Sequence, residues 1–311
     1  TPLYSSAASD VYKRQVSEII NCDSYIAMDD KPSDILKSKR NSSMSLAINS
    51  VTENTSDAVL SFGNTGALMS LSLLNIKTLK GIKRPAIASI WPNMKGESVV
   101  LDLGANTKLD ARYLIDNSIL GASLASILFK IDSPSIGLLN VGVEDNKGNE
   151  ELKSASDRLY ELSKNYDINF HGYVEGSDIS IGKTNVVVTD GFTGNISLKT
   201  AEGTANFLTD NLKQALSSNI FSKFSSALSY FALRKFKNKL DPRKYNGAIF
   251  LGLKGPVVKS HGSTDALGFS YSLDVCYKIA KGKMINKIKL NLCLLYTSPS
   301  PRDRQKSRMP S

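Results

Sequence analysis

The sequence predicts an α/β protein, a mostly parallel sheet flanked by helices, and three observations lead there. Short β-rich runs alternate with longer helical patterns along the chain. The runs are apolar almost without interruption, as in strands buried on both faces. Each run closes in a short loop rich in Gly, Asn and Asp.

In chain order, residues 33–53 form the first helix, then a strand over 58–62 and a helix over 65–79 with apolar residues at three- and four-residue spacing. Strands follow over 86–91 and 99–103, then a helix over 114–130, a strand over 136–141 and a helix over 150–164. A strand over 186–189, a long helix over 196–216 and a strand over 248–253 complete the alternation. The loops are SFGNTGAL (61–68), LDLGAN (101–106), NVGVEDNKGNE (140–150), TDGFTGN (189–195) and KGPVVKSHGSTD (254–265). Ligands of open α/β sheets bind outside the carboxyl ends of the strands, so these five loops are expected to converge on one site.

Composition narrows the class. The 311 residues are 41% hydrophobic and 22% charged, which excludes disorder, collagen and coiled coil. The uncharged stretch near the middle, 117–129, falls short of the roughly 18 apolar residues a bilayer span needs. Cys22, Cys276 and Cys293 make neither a metal-ligand spacing nor a disulfide framework, which fits a reducing compartment. The net charge of +10 calls for an anionic partner.

Both ends carry sequence of another kind. SSAASDVYKRQ (5–15) and CLLYTSPSPRD (293–303) resemble translated sequencing adapters, so residues 1–15 and 293–311 are expected to be adapter-derived. The remaining 16–292 has no recognisable start, so the natural protein is expected to extend further at its N-terminal side.

The loops carry the chemistry. Gly63-Asn64-Thr65-Gly66 follows a strand and opens a helix, so its N–H groups and helix dipole suit an anion; an Asn/Thr helix cap explains the same residues. Asp190-Gly191-Phe192-Thr193-Gly194-Asn195 repeats the arrangement, with Lys199 one turn onward. Lys147 sits in a Gly/Asn turn, either solvated or clamping a phosphate. Lys259 and His261 follow a strand, whereas His171 reads as structural. Nucleophile-elbow, CxxC, HExxH and GxGxxG motifs are absent, so hydrolase, zinc and dinucleotide fingerprints fail.

KRNSSM (39–44), GNTGAL (63–68), GIKRPAIA (81–88), LDLGAN, GLLNVGVEDNKGNE (137–150), INFHGYVEG (168–176), VVVTDGFTGNISLKTAEG (186–203) and GPVVKSHGSTD occur in this order. Together they resemble the bacterial phosphate acyltransferases of phospholipid synthesis, the PlsX family, over essentially the whole of 16–292. The family's opening DAMGGD motif is missing here. The resemblance implies an isopropylmalate dehydrogenase/phosphotransacetylase-like fold and a homodimer. It implies conversion of acyl-acyl carrier protein and inorganic phosphate to acyl phosphate, for a downstream glycerol-3-phosphate acyltransferase, without cofactor or metal. It also implies Lys147 and Asn195 as the catalytic pair, with Asn64, Thr65, Gly66, Asn106, Asp190, Gly191, Lys199, Lys259 and His261 binding substrate or phosphate. Phosphate is itself the nucleophile in that reaction, which agrees with the missing nucleophile motif. A phosphate acetyl- or butyryltransferase using acyl-CoA is the nearest alternative, and an inactive truncated fragment another.

Residues 211–240 contain no acidic side chain but carry Lys213, Lys223, Arg234, Lys235, Lys237 and Lys239. Ile220, Phe224, Leu228 and Phe231 share one helix face, with Phe221 alongside. An apolar stripe beside a basic cluster suits a helix lying on an anionic bilayer, or ordinary core packing with a solvated end. The resemblance implies a protruding helical tip over about 211–240 that touches the membrane, hence a cytoplasmic enzyme at the membrane periphery; the acidic carrier protein is the other candidate for this cluster. Nucleic acid is not expected, because no helix-turn-helix or aromatic-interleaved basic motif is present.

Overall fold

Residues 18–22, 24–30, 41–218, 221, 229–239 and 241–296 are described in a computed structural model. Helix α1 (Ser43–Thr52) starts at Ser42, whose hydroxyl accepts the N–H of Ser45. The first half of the helix expected over 33–53 lies largely outside the described residues. Strand β1 (Val59–Ser61), helix α2 (Thr65–Asn75) and a hairpin of β2 (Ala86–Asn93) and β3 (Gly96–Leu101) follow. Then come α3 (Ala111–Phe129), β4 (Ile136–Leu139), α4 (Glu150–Asn165), β5 (Phe170–Val174), α5 (Gly176–Ile181), β6 (Val186–Val188) and α6 (Gly191–Ser217). The chain closes with α7 (Tyr230–Lys239), β7 (Ala248–Leu251), β8 (Val257–Lys259), α8 (Ala266–Lys281) and α9 (Met284–Tyr296).

The six expected strands are all present. Strands β5 and β8 are additional: each is short and lies inside a loop-like, Gly-containing motif, so its pairing comes from the neighbouring strand rather than from its own pattern. Helices α5, α8 and α9 are additional too, whereas α7 lies within the stretch 211–240 that was expected to be helical. The C-terminal stretch read as adapter-like is helical over 293–296, its first residues continuing α9. The stretch over 1–15 lies outside the described residues.

The eight strands form one sheet in the order β1-β8-β7-β2-β3-β6-β4-β5. Four neighbouring pairs are parallel (β1/β8, β3/β6, β6/β4, β4/β5) and three antiparallel (β8/β7, β7/β2, β2/β3). The central strands explain their continuous apolar runs. Val99, Leu101, Val186 and Val188 face α3, while Val100 and Val187 face the other side with Leu198 of α6. Helix α3 is buried along most of its length and lies close to the sheet. A side chain at Gly121 would meet Val186 Cγ1 at 2.6 Å.

Strand direction corrects the expectation of one convergent site. Following the antiparallel steps from β3 through β2 and β7, β8 and β1 run opposite to β3, β6 and β4. The loops after β3, β4 and β6 therefore leave by one edge of the sheet, and those after β1 and β8 by the other.

Candidate active site

The organising residue at the first edge is Asp102, a fully buried carboxylate at the end of β3. Oδ1 accepts the N–H groups of Ile87, Gly104 and Ala105 at 2.9–3.1 Å, and Oδ2 accepts the Asn106 N–H at 2.7 Å and the Tyr113 hydroxyl at 2.8 Å. Four backbone donors and a phenol thus satisfy a charge that would otherwise be costly to bury. Burial above all, and then the charge of Asp102, push the Tyr113 phenol well above its ordinary range, so it stays a donor. Sequence reading passed over Asp102 and Tyr113. The available signal was a carboxylate directly following an apolar strand and preceding a Gly turn.

Asn106 belongs to this scaffold. Its Nδ2 donates to the Pro85 carbonyl at 2.8 Å and to Tyr113 Oη at 2.6 Å. Both amide hydrogens are spent inside the protein, and Oδ1 faces Arg84 Nη1 at 3.5 Å. Asn106 therefore has no side-chain donor left for phosphate, contrary to expectation; the exposed Arg84 beside it is the cation there.

Helix α6 docks directly on this turn. Gly191 donates its N–H to the Asn106 carbonyl at 2.7 Å, and a Cβ on Gly191 would sit 2.7–2.9 Å from three atoms of Asn106 and Asp102. A Cβ on Gly194 would collide with the Asp102 carbonyl oxygen. The Asp190 carboxylate caps the helix, taking the N–H groups of Phe192 and Thr193 and the Thr193 hydroxyl. The Gly194 N–H goes to the Asp190 carbonyl. The helix start is thus filled by the protein's own carboxylate, which corrects the expectation of an open anion cradle at 190–195.

The same docking places Asn195. One Nδ2 hydrogen donates to the Leu103 carbonyl at 3.1 Å, and the amide lies against Gly104, whose φ of +133° and missing side chain leave the space. The second N–H of the amide and its Oδ1 remain for a ligand. Lys199 follows one turn along the helix and is exposed. Lys147 belongs to the loop after β4, the strand hydrogen-bonded to β6. Its N–H closes a turn to the Glu144 carbonyl at 3.0 Å, and Gly148, at φ +83°, lies against Asn140. Lys147 is exposed. Arg84, Lys147, Asn195 and Lys199 are thus carried on loops and a helix start along one edge.

The other expected residues form a second group. Asn64 caps α2 through Oδ1, and Nδ2 donates to the carbonyls of Met28 and Asp30. The capping reading thus holds for its side chain, while Thr65 and Gly66 stay exposed at the helix start. His261 Nδ1 pairs with the Ser263 hydroxyl at 2.8 Å, and the His261 N–H donates to Asn246 Oδ1. Lys259 is half-buried, which depresses its amine, and it donates to the Ser260 carbonyl. Among the described residues no hydrogen bond joins this group to the Asp102–Asn195 group.

Of the expected membrane-contact residues, Ile220, Phe224 and Leu228 lie outside the described residues. Phe221 and Phe231 are 85% and 81% exposed. Helix α6 buries only Gly191 and Gly194, and beyond them shows Phe207 and Leu208 to solvent. No helix among the described residues is long and apolar enough to cross a membrane. Among those residues no group of three or more His, Cys, Asp or Glu side chains is arranged to hold a metal ion.

Comparison with known proteins identifies the architecture. Among solved structures, the branched-chain phosphotransacylase from Enterococcus faecalis V583 aligns with a TM-score of 0.51 at 15% identity, covering 79% of this chain and 85% of that one. The EutD phosphotransacetylase from Staphylococcus aureus aligns at 0.50 and 14%, covering 89% and 84%. These likenesses establish a shared fold. In sequence, the phosphate acyltransferase of Pelagibacter ubique is 51% identical over 276 residues, 89% of this chain and 83% of that protein. The phosphate acyltransferase of Xanthobacter autotrophicus is 47% identical over 278 residues, 89% and 78%. The fatty acid synthesis protein family matches residues 5–287. By this match and these identities, the chain belongs to the fatty acid synthesis protein family, alongside the curated phosphate acyltransferases.

Proposed function

We propose that this protein is a phosphate acyltransferase that makes acyl phosphate from acyl-acyl carrier protein and inorganic phosphate. The observation that carries the reading is its 51% identity to a phosphate acyltransferase over 89% of the chain. The edge around Asp102 supports it, because it offers cations and an amide donor to two anionic reactants. In the reaction an oxygen of HPO4²⁻ attacks the thioester carbonyl carbon. The carbonyl oxygen becomes an oxyanion, the C–S bond breaks, and the phosphate proton ends on the departing sulfur. The products are acyl phosphate and the free carrier thiol.

Asn195 is the proposed donor to the oxyanion, since one N–H is anchored on Leu103 and the other is free. Lys147 is proposed to neutralise phosphate or the departing thiolate, with Lys199 and Arg84 adding positive charge. The exposed apolar residues of α6 support its contact with a second copy of the chain, and Phe221 and Phe231 support peripheral contact with an anionic membrane.

Thiol release from acyl-acyl carrier protein, followed with and without phosphate, tests the reaction. Phosphate-dependent release, with an acyl product trapped by hydroxylamine, is expected. Release only from acyl-CoA would point to the acetyl- or butyryltransferase reading, and phosphate-independent release would overturn acyl transfer to phosphate. Asn195→Ala should slow turnover about 10²–10³-fold. Wild-type turnover in that variant would remove Asn195 from its role.

A further inference from the structure

From residue 58 to residue 96 the chain contains no acidic side chain. Four of its cations, Lys77, Lys80, Lys83 and Arg84, lie on the connection between α2 and β2, and all are exposed. This connection is stitched to the segment after β7. Leu79 N–H donates to the Gly252 carbonyl and Lys254 N–H to the Lys77 carbonyl, each at 2.9 Å, which adds the exposed Lys254 to the same surface. None of the five forms an ion pair among the described residues. Basic side chains left without counter-charges raise the local potential and favour an anionic partner.

The position of this patch relative to the proposed acyl-transfer loops gives it a partner. Strand β2 begins where β3 and β7 end, since it is antiparallel to both. Lys254 and Lys77 therefore stand beyond the end of β7, Lys83 and Arg84 at the start of β2, and Asn195 beyond the ends of β3 and β6, all on one edge of the sheet. From β7 to β6 is three strand spacings, about 14 Å. Arg84 joins the two regions through its contact with Asn106. A partner lying on the patch would stand beside the proposed oxyanion donor without covering it.

We propose that Lys77, Lys80, Lys83, Arg84 and Lys254 form the docking surface for the acidic acyl carrier protein, which delivers its acyl thioester along the sheet edge to Asn195. This inference rests on the proposed acyl transfer from a carrier protein. It separates the carrier surface from the basic residues of 211–240, which are then left to the membrane. Charges of this kind steer encounter and fix orientation, so their effect is salt-dependent.

Direct binding of holo-acyl carrier protein, read by fluorescence anisotropy at low and physiological salt, tests the surface without requiring turnover. The double variant Lys80→Glu/Lys83→Glu is expected to weaken binding about tenfold at low salt and to flatten its salt dependence. Lys130→Glu/Lys164→Glu reverses two exposed charges at the ends of α3 and α4, where the chain enters β4 and β5 at the opposite edge, and is expected to keep binding within about twofold. Unchanged binding in the first variant, or equal loss in both, would overturn the surface. So would loss of binding to phosphatidylglycerol vesicles in the first variant with carrier binding intact. The two readings fail differently. Salt-sensitive carrier binding without phosphate-dependent thiol release would sink the reaction and leave the surface standing. Normal turnover of acyl-acyl carrier protein in Lys80→Glu/Lys83→Glu, at sub-saturating concentrations, would sink the surface alone.

Discussion

Replacing Gly194 with alanine should disable the site while leaving most of the fold intact. Gly194 lies in the first turn of α6, pressed on the turn that follows β3. An added methyl falls inside the van der Waals envelope of the Asp102 carbonyl oxygen, with the Asp102 carbonyl carbon and Thr189 Cγ2 each 3.0 Å away. Neither side can yield easily. The Asp102 turn is held by four backbone N–H groups, and the helix start by the Asp190 cap. The helix must therefore withdraw by about 1 Å, a displacement that costs a well-aligned reaction about 10²-fold in rate. The stability change is smaller, because overpacking costs about 1–3 kcal/mol while alanine is better than glycine in a helix by about 1 kcal/mol. The expected outcome is an approximately hundredfold loss in kcat with a melting temperature lowered by a few degrees, measured by thiol release and thermal unfolding. An alanine variant with wild-type kcat would refute the claim that helix docking on Asp102 positions Asn195.

Three further outcomes follow from other contacts. Tyr113→Phe removes the hydroxyl that donates to the buried Asp102 carboxylate and should cost about 1.5–3 kcal/mol by denaturant unfolding. Because folding raises the Tyr113 phenol pKa, its contribution is complete below the ordinary value near 10 and is lost as pH rises above it; the alkaline limb of the stability profile should flatten in the phenylalanine variant. Arg243 hydrogen-bonds Asp241 and Asp265 and holds both carboxyls below their ordinary range, for Asp265 second to the Gly268 N–H. Arg243→Met should lower the melting temperature at neutral pH, and the gap from wild type should close as pH falls through about 4, since a depressed carboxyl stabilises only above its unfolded pKa. Phe231→Asp, at an 81% exposed position, should weaken binding to anionic vesicles while acyl transfer to phosphate in solution persists; undiminished vesicle binding would remove this residue from membrane contact.

The local pattern revealed most elements because it is written residue by residue. The apolar runs of β3, β4 and β6 and the spacing in α3 and α4 need no partner to be read. Strands β5 and β8 escaped notice because three to five residues inside Gly-containing motifs carry little periodicity, and a neighbouring strand supplies their reason to extend. The carriers of the proposed chemistry were visible as residue types, Lys147 and Asn195 in Gly/Asn motifs and Lys199 one helical turn beyond the second. Asp102 was not, since an aspartate after a strand looks the same whether it faces water or five internal donors.

By itself the sequence determined the fold class, the family motifs and the residue types available to the reaction. Two matters were decided only in three dimensions. Strand direction is set by long-range hydrogen bonding, and the antiparallel steps through β2 and β7 send the Asn64 and His261 loops to a different edge from Asn195. Which polar groups stay free depends on what they meet when buried. Asn106 spends both amide hydrogens on Pro85 and Tyr113, and Asp190 fills its own helix start, so neither keeps the ligand-binding capacity its motif suggested. Asn195 keeps one N–H because Gly104 and Gly194 let its helix come close enough for Leu103 to take the other.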